Sequence, residues 1–444
     1  MSRSAQGIGA GRRWPNIATS YEDVAHLLSR TGFGGMHADI LALRAYDWPD
    51  LVARVLDTST ATSPSVGVPA FDNENGYHDW VDMTWFWLDR CRSSHAPLVE
   101  KMVLFWHGHF CSSLAKVFKH RWLFDQNQLF RTHGLGGFED LTQRMAVQPA
   151  MLAYLDNDRN VAGSPNDNFA RECMELFTLG VGNYSEDDVL ESARAWTGHL
   201  ISDAGGYRFT PEAHDWGTKT FFGDTRNWDG PQIIDHIING PKKMTVARFI
   251  GAKLWSFLAY PDPEDSVVDH VATAFANADM HIAKLVEAIL LHPQFRSAKA
   301  KRGLIRSPIE YVVATMRQTG LPCSEANPQW ALKAMGQQPY YPPNVSGWRQ
   351  NGYWVNEAAA WAKSRYVSGL RWSMYQRGDL VGVDDLSPSD AATAALEHVG
   401  IMVPSARTHA VLEEYVRNER LHNGWADRAG LLLLPLLTPE FQVA

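Results

Sequence analysis

The sequence predicts a mainly α-helical protein, a large single domain of bundle-like helices with a small β hairpin insert. Three observations predict it. Segment after segment repeats apolar residues at i, i+3 and i+4, the spacing of one buried helix face. The strand–helix alternation of a parallel sheet is absent, as is the Gly-x-Ser-x-Gly elbow of the α/β-hydrolases. Only residues of about 199–230 lose the helical period and alternate aromatics instead, in GYRF and KTFFG. A hairpin pairing Tyr207–Phe209 with Thr220–Phe222 fits that section.

Taken in order, residues 1–19 read as a flexible tail and 20–444 as one helical domain. Gly7, Gly9 and Gly11 follow no strand, so they do not make a phosphate loop. Tyr21–Arg30 is a helix with His26 on its apolar side, expected as a hydrogen-bonded core histidine. Leu41–Leu56 and Leu141–Tyr154 each read as one helix. Trp80–Cys91 and Pro97–Phe110 are strongly apolar helices, the second opened by a first-turn proline. From Pro231 on the chain is helical again, over Thr245–Leu258, Ser266–Asn277, Ile282–Leu291 and Pro308–Gln318. The stiff loop YYPPNVSGWRQNGYW places Trp348 and Trp354 where they could line a cleft, or pack over the core.

Composition narrows the function. Hydrophobic residues at 45% and charged ones at 20% suit a folded globular chain. A net charge of -8 without a basic patch argues against nucleic-acid binding, which needs concentrated positive charge. Cys91, Cys111, Cys173 and Cys323 form no CxxC pair and read as reduced core thiols. Arg12 and Arg13 precede no apolar h-region, so a cytoplasmic location is expected for the chain as given, and no apolar run is long enough to span a membrane. HExxH, P-loop and EF-hand patterns are missing.

The chemistry-bearing stretch is PNDNFARECMELFTLGVGNYSEDDVLESARAWTGH, from Pro165 to His199. It reads as two short helices around a glycine turn, with Ser185 the N-cap of the second and Phe169, Cys173, Leu176 and Phe177 as a core stripe. Asn168, Glu172 and Glu175 lie in a row at i, i+4 and i+7, and Asp187, Glu191 and Arg194 repeat the spacing. Converging carboxylates can bind a metal, transfer protons or pair with arginine. In the last case Arg171 would pair with Glu175, Arg194 with Glu191, and Arg306 with Glu310. His107 and His109 add a possible ligand pair, although residues two apart on a helix point about 200° apart. His214, Asp215 and Lys219 sit together in a polar loop that can supply acid–base groups.

These stretches also resemble a family. The Pro165–His199 segment, HLLSRTGFG at His26–Gly34, KMVLFWHGHF at Lys101–Phe110, AMLAYLDN at Ala150–Asn157, HDWGTKTFFG at His214–Gly223, RSPIEYVV at Arg306–Val313, PPNVSGW at Pro342–Trp348 and TPEFQ at Thr438–Gln442 are similar, in order, to the bacterial domain-of-unknown-function family 1800. Asp167 stands where that family usually has Glu, and Cys173 where it usually has a larger apolar residue. The resemblance implies membership without a reaction; relatives often carry an export signal.

Three functions fit these residues. The first is a metal-assisted hydrolase, with His107, His109, Glu172 and Glu175 as ligands to a divalent ion such as Zn, Mn or Fe. His214, Asp215, Lys219 and Glu191 would then move protons, while Asn168, Arg171, Arg194, Trp348 and Trp354 bind a small-molecule substrate. The second is a metal-free enzyme whose carboxylate pair acts on a glycan, with the 17 tryptophans supplying the platform. The third is a non-catalytic partner protein in which the Arg/Glu motifs are structural.

Overall fold

Prolines divide the N-terminal half of the chain more finely than apolar spacing alone suggests. The computed structural model describes residues 18–59, 66–71, 76–301, 303–377, 383–423 and 427–444. The segment expected as one helix over Leu41–Leu56 is two, His37–Leu43 and Trp48–Leu56. Asp47 caps the second, and Pro49 lies in its first turn, where no amide donor is needed. Leu141–Tyr154 is likewise split into Phe138–Ala146 and Pro149–Tyr154, with the Gln148 side chain accepting from Ala150 and Met151. Both corrections have one cause: a proline beside a capping side chain restarts a helix without shifting its apolar phase. Residues 1–17 of the expected tail lie outside the described residues, while Ala18 and Thr19 are tied to Arg44 and Tyr46.

Helix α1 (Tyr21–Arg30) is fastened to a distant part of the chain. His26 Nε2 meets Phe295 O at 2.8 Å, and burial pushes its imidazole down to about 3, so it is the neutral core histidine expected. Arg30 donates to Ala300 O, and Lys301 pairs with Glu22 and Asp23. Helices α2 (Gly76–Ser93) and α3 (Pro97–His109) are buried along most of their length, because Trp80, Trp87, Met102 and Trp106 put apolar side chains on nearly every face. The apolar core runs from Val24 to Phe441, with a smaller cluster of Val383, Ala391, Ala395, Val416 and Leu431 beside it. All four cysteines are buried and unpaired.

The central segment forms α4 (Asn168–Glu172) and α5 (Glu186–Ala195). The expected insert follows as two hairpins. Strand β1 (His199–Ile201) pairs with β2 (Tyr207–Phe209), His199 opposite Phe209, and β3 (Lys219–Phe221) pairs with β4 (Asp224–Arg226), Lys219 opposite Arg226. Tyr207–Phe209 therefore does not pair with Thr220–Phe222 as expected. Phe222 and Gly223 both take positive φ, 47° and 82°, the two-residue turn that matches strand twist. Each strand thus finds its partner locally, at a smaller loop-closure cost than a longer connection would impose.

Beyond the insert, α6 (Lys243–Leu258) packs against α7 (Asp265–Asn277), with Gly251 letting the two backbones approach beside Val271 and Ala272. Helix α8 (Pro308–Thr319) is opened by a reciprocal cap between Ser307 and Glu310. Among the described residues no helix is long and apolar enough to cross a membrane.

Candidate functional site

The central motif starts as its sequence suggests and ends differently. Ser185 caps α5 with Asp188 in return, and Gly180 and Gly182 take positive φ, as the turn requires. Phe169, Cys173 and Phe177 are buried in the expected stripe. After Glu172, however, the helix widens into a π turn over Cys173–Thr178, closed by Leu179 N donating to Met174 O. Single π turns inside helices recur at functional sites. Here Phe177 O accepts from His109 Nε2 at 3.0 Å, and Leu176 O accepts from Lys253 Nζ at 3.0 Å.

Most polar residues singled out in this motif are matched to each other. Arg171 forks onto both Glu186 oxygens at 2.8 Å and reaches Asp167 at 2.9 Å, so its expected partner Glu175 instead accepts from Tyr184 Oη at 2.8 Å. Arg194 does meet Glu191, at 2.8 Å, and also Asp215, at 2.7 Å, which holds the Asp215 carboxyl below its ordinary value. Lys219 Nζ is buried against Asp215 O, Gly217 O and Asn227 Oδ1, and burial lowers its pKa. His214 Nδ1 meets Thr197 O at 2.8 Å in a nest of Phe209, His199 and Trp216. Asn168 donates to Asp156 at 3.4 Å. Glu172 is half-buried, its pKa raised by burial and then by neighbouring Glu175.

The two histidines of HGHF diverge as the helical geometry dictates, since α3 continues through Gly108. His107 Nε2 accepts from Tyr340 N at 3.1 Å, with Trp348 against its ring at 5.3 Å. His109 faces the π turn. Both are buried, and desolvation holds both imidazoles neutral, His107 down to about 3. Among the described residues no three His, Cys, Asp or Glu side chains come together as a metal cluster, so His107, His109, Glu172 and Glu175 do not form a shared ligand set. Gly347, at φ +80°, lies so close to α3 that a Cβ there would sit 2.3 Å from Gly108 O. That contact seats the NVSGW loop on HGHF and swings Trp348 over His107. Trp354 is 2% exposed, which is the second of its two expected places, packed over the core.

These stretches meet around an open cleft of about 1000 Å³. His109, Leu179, Asn183, Lys253 and Trp348 line it, joining α3, the π turn, α6 and the NVSGW loop; neither Glu172 nor Glu175 does. Lys253, which sequence reasoning missed, is its distinctive group. Its amine meets Leu176 O and His109 Nδ1, at 3.0 and 3.2 Å, and no carboxylate pairs with it among the described residues. Because His109 Nε2 donates to Phe177 O, its Nδ1 is free to accept. Burial pulls the Lys253 pKa from 10.5 down to about 8. Two N–H groups therefore serve two acceptors, and the neutral amine keeps its lone pair. The available signal was a single lysine in the apolar run FIGAKLWSFL; Arg248, also on the cleft wall, is instead occupied by Asp265 and Asp269.

No curated protein and no solved structure matches the chain. A family model described as "Protein of unknown function (DUF1800)" matches residues 26–443. Nearly the whole chain is covered, from His26 on α1 to the segment that follows Phe441, and the protein belongs to the DUF1800 family.

Proposed function

We propose that the cleft is an active site in which Lys253 transfers protons to and from a small polar organic substrate, with His109 as its positioning residue. The observation that carries this reading is the amine of Lys253: on the wall of a large cleft, held by two acceptors, without a carboxylate partner, and titrating at about 8. A lysine so placed is partly neutral at physiological pH and can act as a base. Hydrolysis remains the reaction class to screen first, with Lys253 drawing the proton from an attacking water. For the metal-assisted version, His109 would have to leave Phe177 O and Lys253, and His107 would have to leave Tyr340 N. For the glycan version, Trp348 offers the cleft a platform, but the carboxylates would have to come from elsewhere than Glu172 and Glu175.

The test needs no known substrate. At pH 7 a lysine titrating near 8 presents on the order of a hundredfold more neutral amine than an ordinary one. A trace of small acylating reagent, read by peptide mapping, is expected to mark Lys253 before the exposed lysines. Screening esters, phosphoesters and glycosides should then find a turnover that Lys253→Met abolishes and that rises through about pH 8. An unreactive Lys253, or full activity in Lys253→Met, would overturn the reading. The partner-protein alternative is favoured by Arg171 and Arg194, each occupied by two carboxylates, and an inert Lys253 would move it to the front.

A further inference from the structure

Nearer the N-terminus of α3 than the cleft, two buried cations and a half-buried third lie around one carboxylate. Arg30 is 1% exposed and Lys101 is 2% exposed. Arg306 lies beside them, its Nη2 3.4 Å from Ser29 Oγ and its guanidinium 4.5 Å from the centre of the Phe441 ring. The one carboxylate is Glu310. One of its oxygens pairs with Lys101 Nζ, and the other accepts from Ser307 N at 2.8 Å to complete the cap of α8. Each oxygen thus has a partner already, and among the described residues no ion pair joins Glu310 to Arg30 or Arg306. Lys363 adds a fourth cation near Arg306, bonded to the neutral Gln442 amide oxygen.

The guanidinium donors are what remain. Arg30 gives Nη2 to Ala300 O, while its Nε and Nη1 are buried without a partner. Arg306 Nη1 is likewise buried without one. A buried guanidinium does not escape its charge by losing a proton, so the imbalance persists at neutral pH. Burying an uncompensated ion costs far more than leaving a neutral donor unsatisfied. Water would satisfy the N–H groups and leave the charge; an anion answers both. The three elements concerned, α1, α3 and α8, carry the stretches HLLSRTGFG, KMVLFWHGHF and RSPIEYVV, so the cluster lies where separate parts of the chain are joined.

We infer that Arg30 and Arg306, backed by the Lys101–Glu310 pair, form a binding site for a small inorganic anion that is taken up as the core closes. The site is independent of the Lys253 cleft and does not need that reading to hold. Its anion neutralises part of the buried charge and accepts from the Arg30 Nε, Arg30 Nη1 and Arg306 Nη1 edges.

The experiment is urea unfolding of the full chain at constant ionic strength, with gluconate replaced stepwise by chloride and, in a second series, by phosphate. Binding to the folded state alone stabilises by mass action. The unfolding constant is expected to fall about tenfold for each tenfold rise in the bound anion beyond its dissociation constant. Arg306→Met and Arg30→Met should lose that dependence. A companion measurement covers an anion too tightly held to titrate: protein exchanged into gluconate, then denatured, should release about one equivalent of inorganic anion on ion chromatography. The inference is overturned if neither the dependence nor the released anion is found, or if either folded variant responds as the native chain does. Should both variants fail to fold, the two measurements on the native chain still decide it.

Discussion

Replacing Lys253 with methionine tests the site through stability alone. Methionine keeps the unbranched stem, one atom shorter, and removes the charge. Folding lowers the lysine's proton affinity from 10.5 to about 8, so carrying the proton into the native state costs stability. At 1.36 kcal/mol per pH unit that cost is about 3 kcal/mol. It is fully present below about pH 8, shrinks as the native state sheds its proton, and vanishes above the unfolded value of 10.5. The variant also leaves Leu176 O and His109 Nδ1 without their donor, a loss on the order of 1–3 kcal/mol each that does not change over this range. The sign of the difference at one pH is therefore uninformative, and its slope is what matters. Urea unfolding of both proteins at pH 7 and pH 10 should show the native chain gaining about 2 kcal/mol on Lys253→Met. A difference that stays constant between the two would refute the desolvated amine and the function built on it.

Gly347→Ala forces a side chain onto positive φ and against the Gly108 carbonyl, and should lower stability by about 3 kcal/mol in urea unfolding, whereas Gly108→Ala, whose Cβ meets nothing within 4 Å, should gain about 0.5–1 kcal/mol. Ser185→Ala removes one half of the α5 capping box and should cost about 1 kcal/mol; a cost under about 0.3 would mean that the box is idle. Glu310→Ala leaves Arg30, Lys101 and Arg306 facing one another and should cost about 3–5 kcal/mol by the same measurement, unless the chain fails to accumulate folded at all.

How much of this was legible in the sequence depends on the range of the interaction. Ser185 and its reciprocal Asp188 are three residues apart, and helix capping is local chemistry, so that boundary could be read. The opposite aim of His107 and His109 follows from helix pitch alone. The splits at Pro49 and Pro149 were readable in principle, but continuous apolar phase hid them. Partner choice was not. Arg171 has Asp167, Glu175 and Glu186 all within reach, and which of them it takes depends on how α4 and α5 are rotated, which no spacing reports. The π turn leaves no mark on residue order either. Lys253 escaped for the largest reason: its acceptor Leu176 O and its neighbour His109 lie 77 and 144 positions away, so the site exists only after folding.

The fastening of α1 has a consequence in time rather than in space. His26 and Arg30 are bonded to residues 269 and 270 positions later, and Trp48 to one 242 positions later. Contacts so distant along the chain slow folding, because their loop entropy is lost before the contact stabilises anything. Synthesis adds a wait of its own. At about 5–20 residues per second, α1 leaves the ribosome roughly 15–55 seconds before its docking partners exist. During that interval Val24 and Leu27, both buried in the finished fold, lack the part of their cover that the later segment supplies. A helix made early is thus among the last to be fully docked.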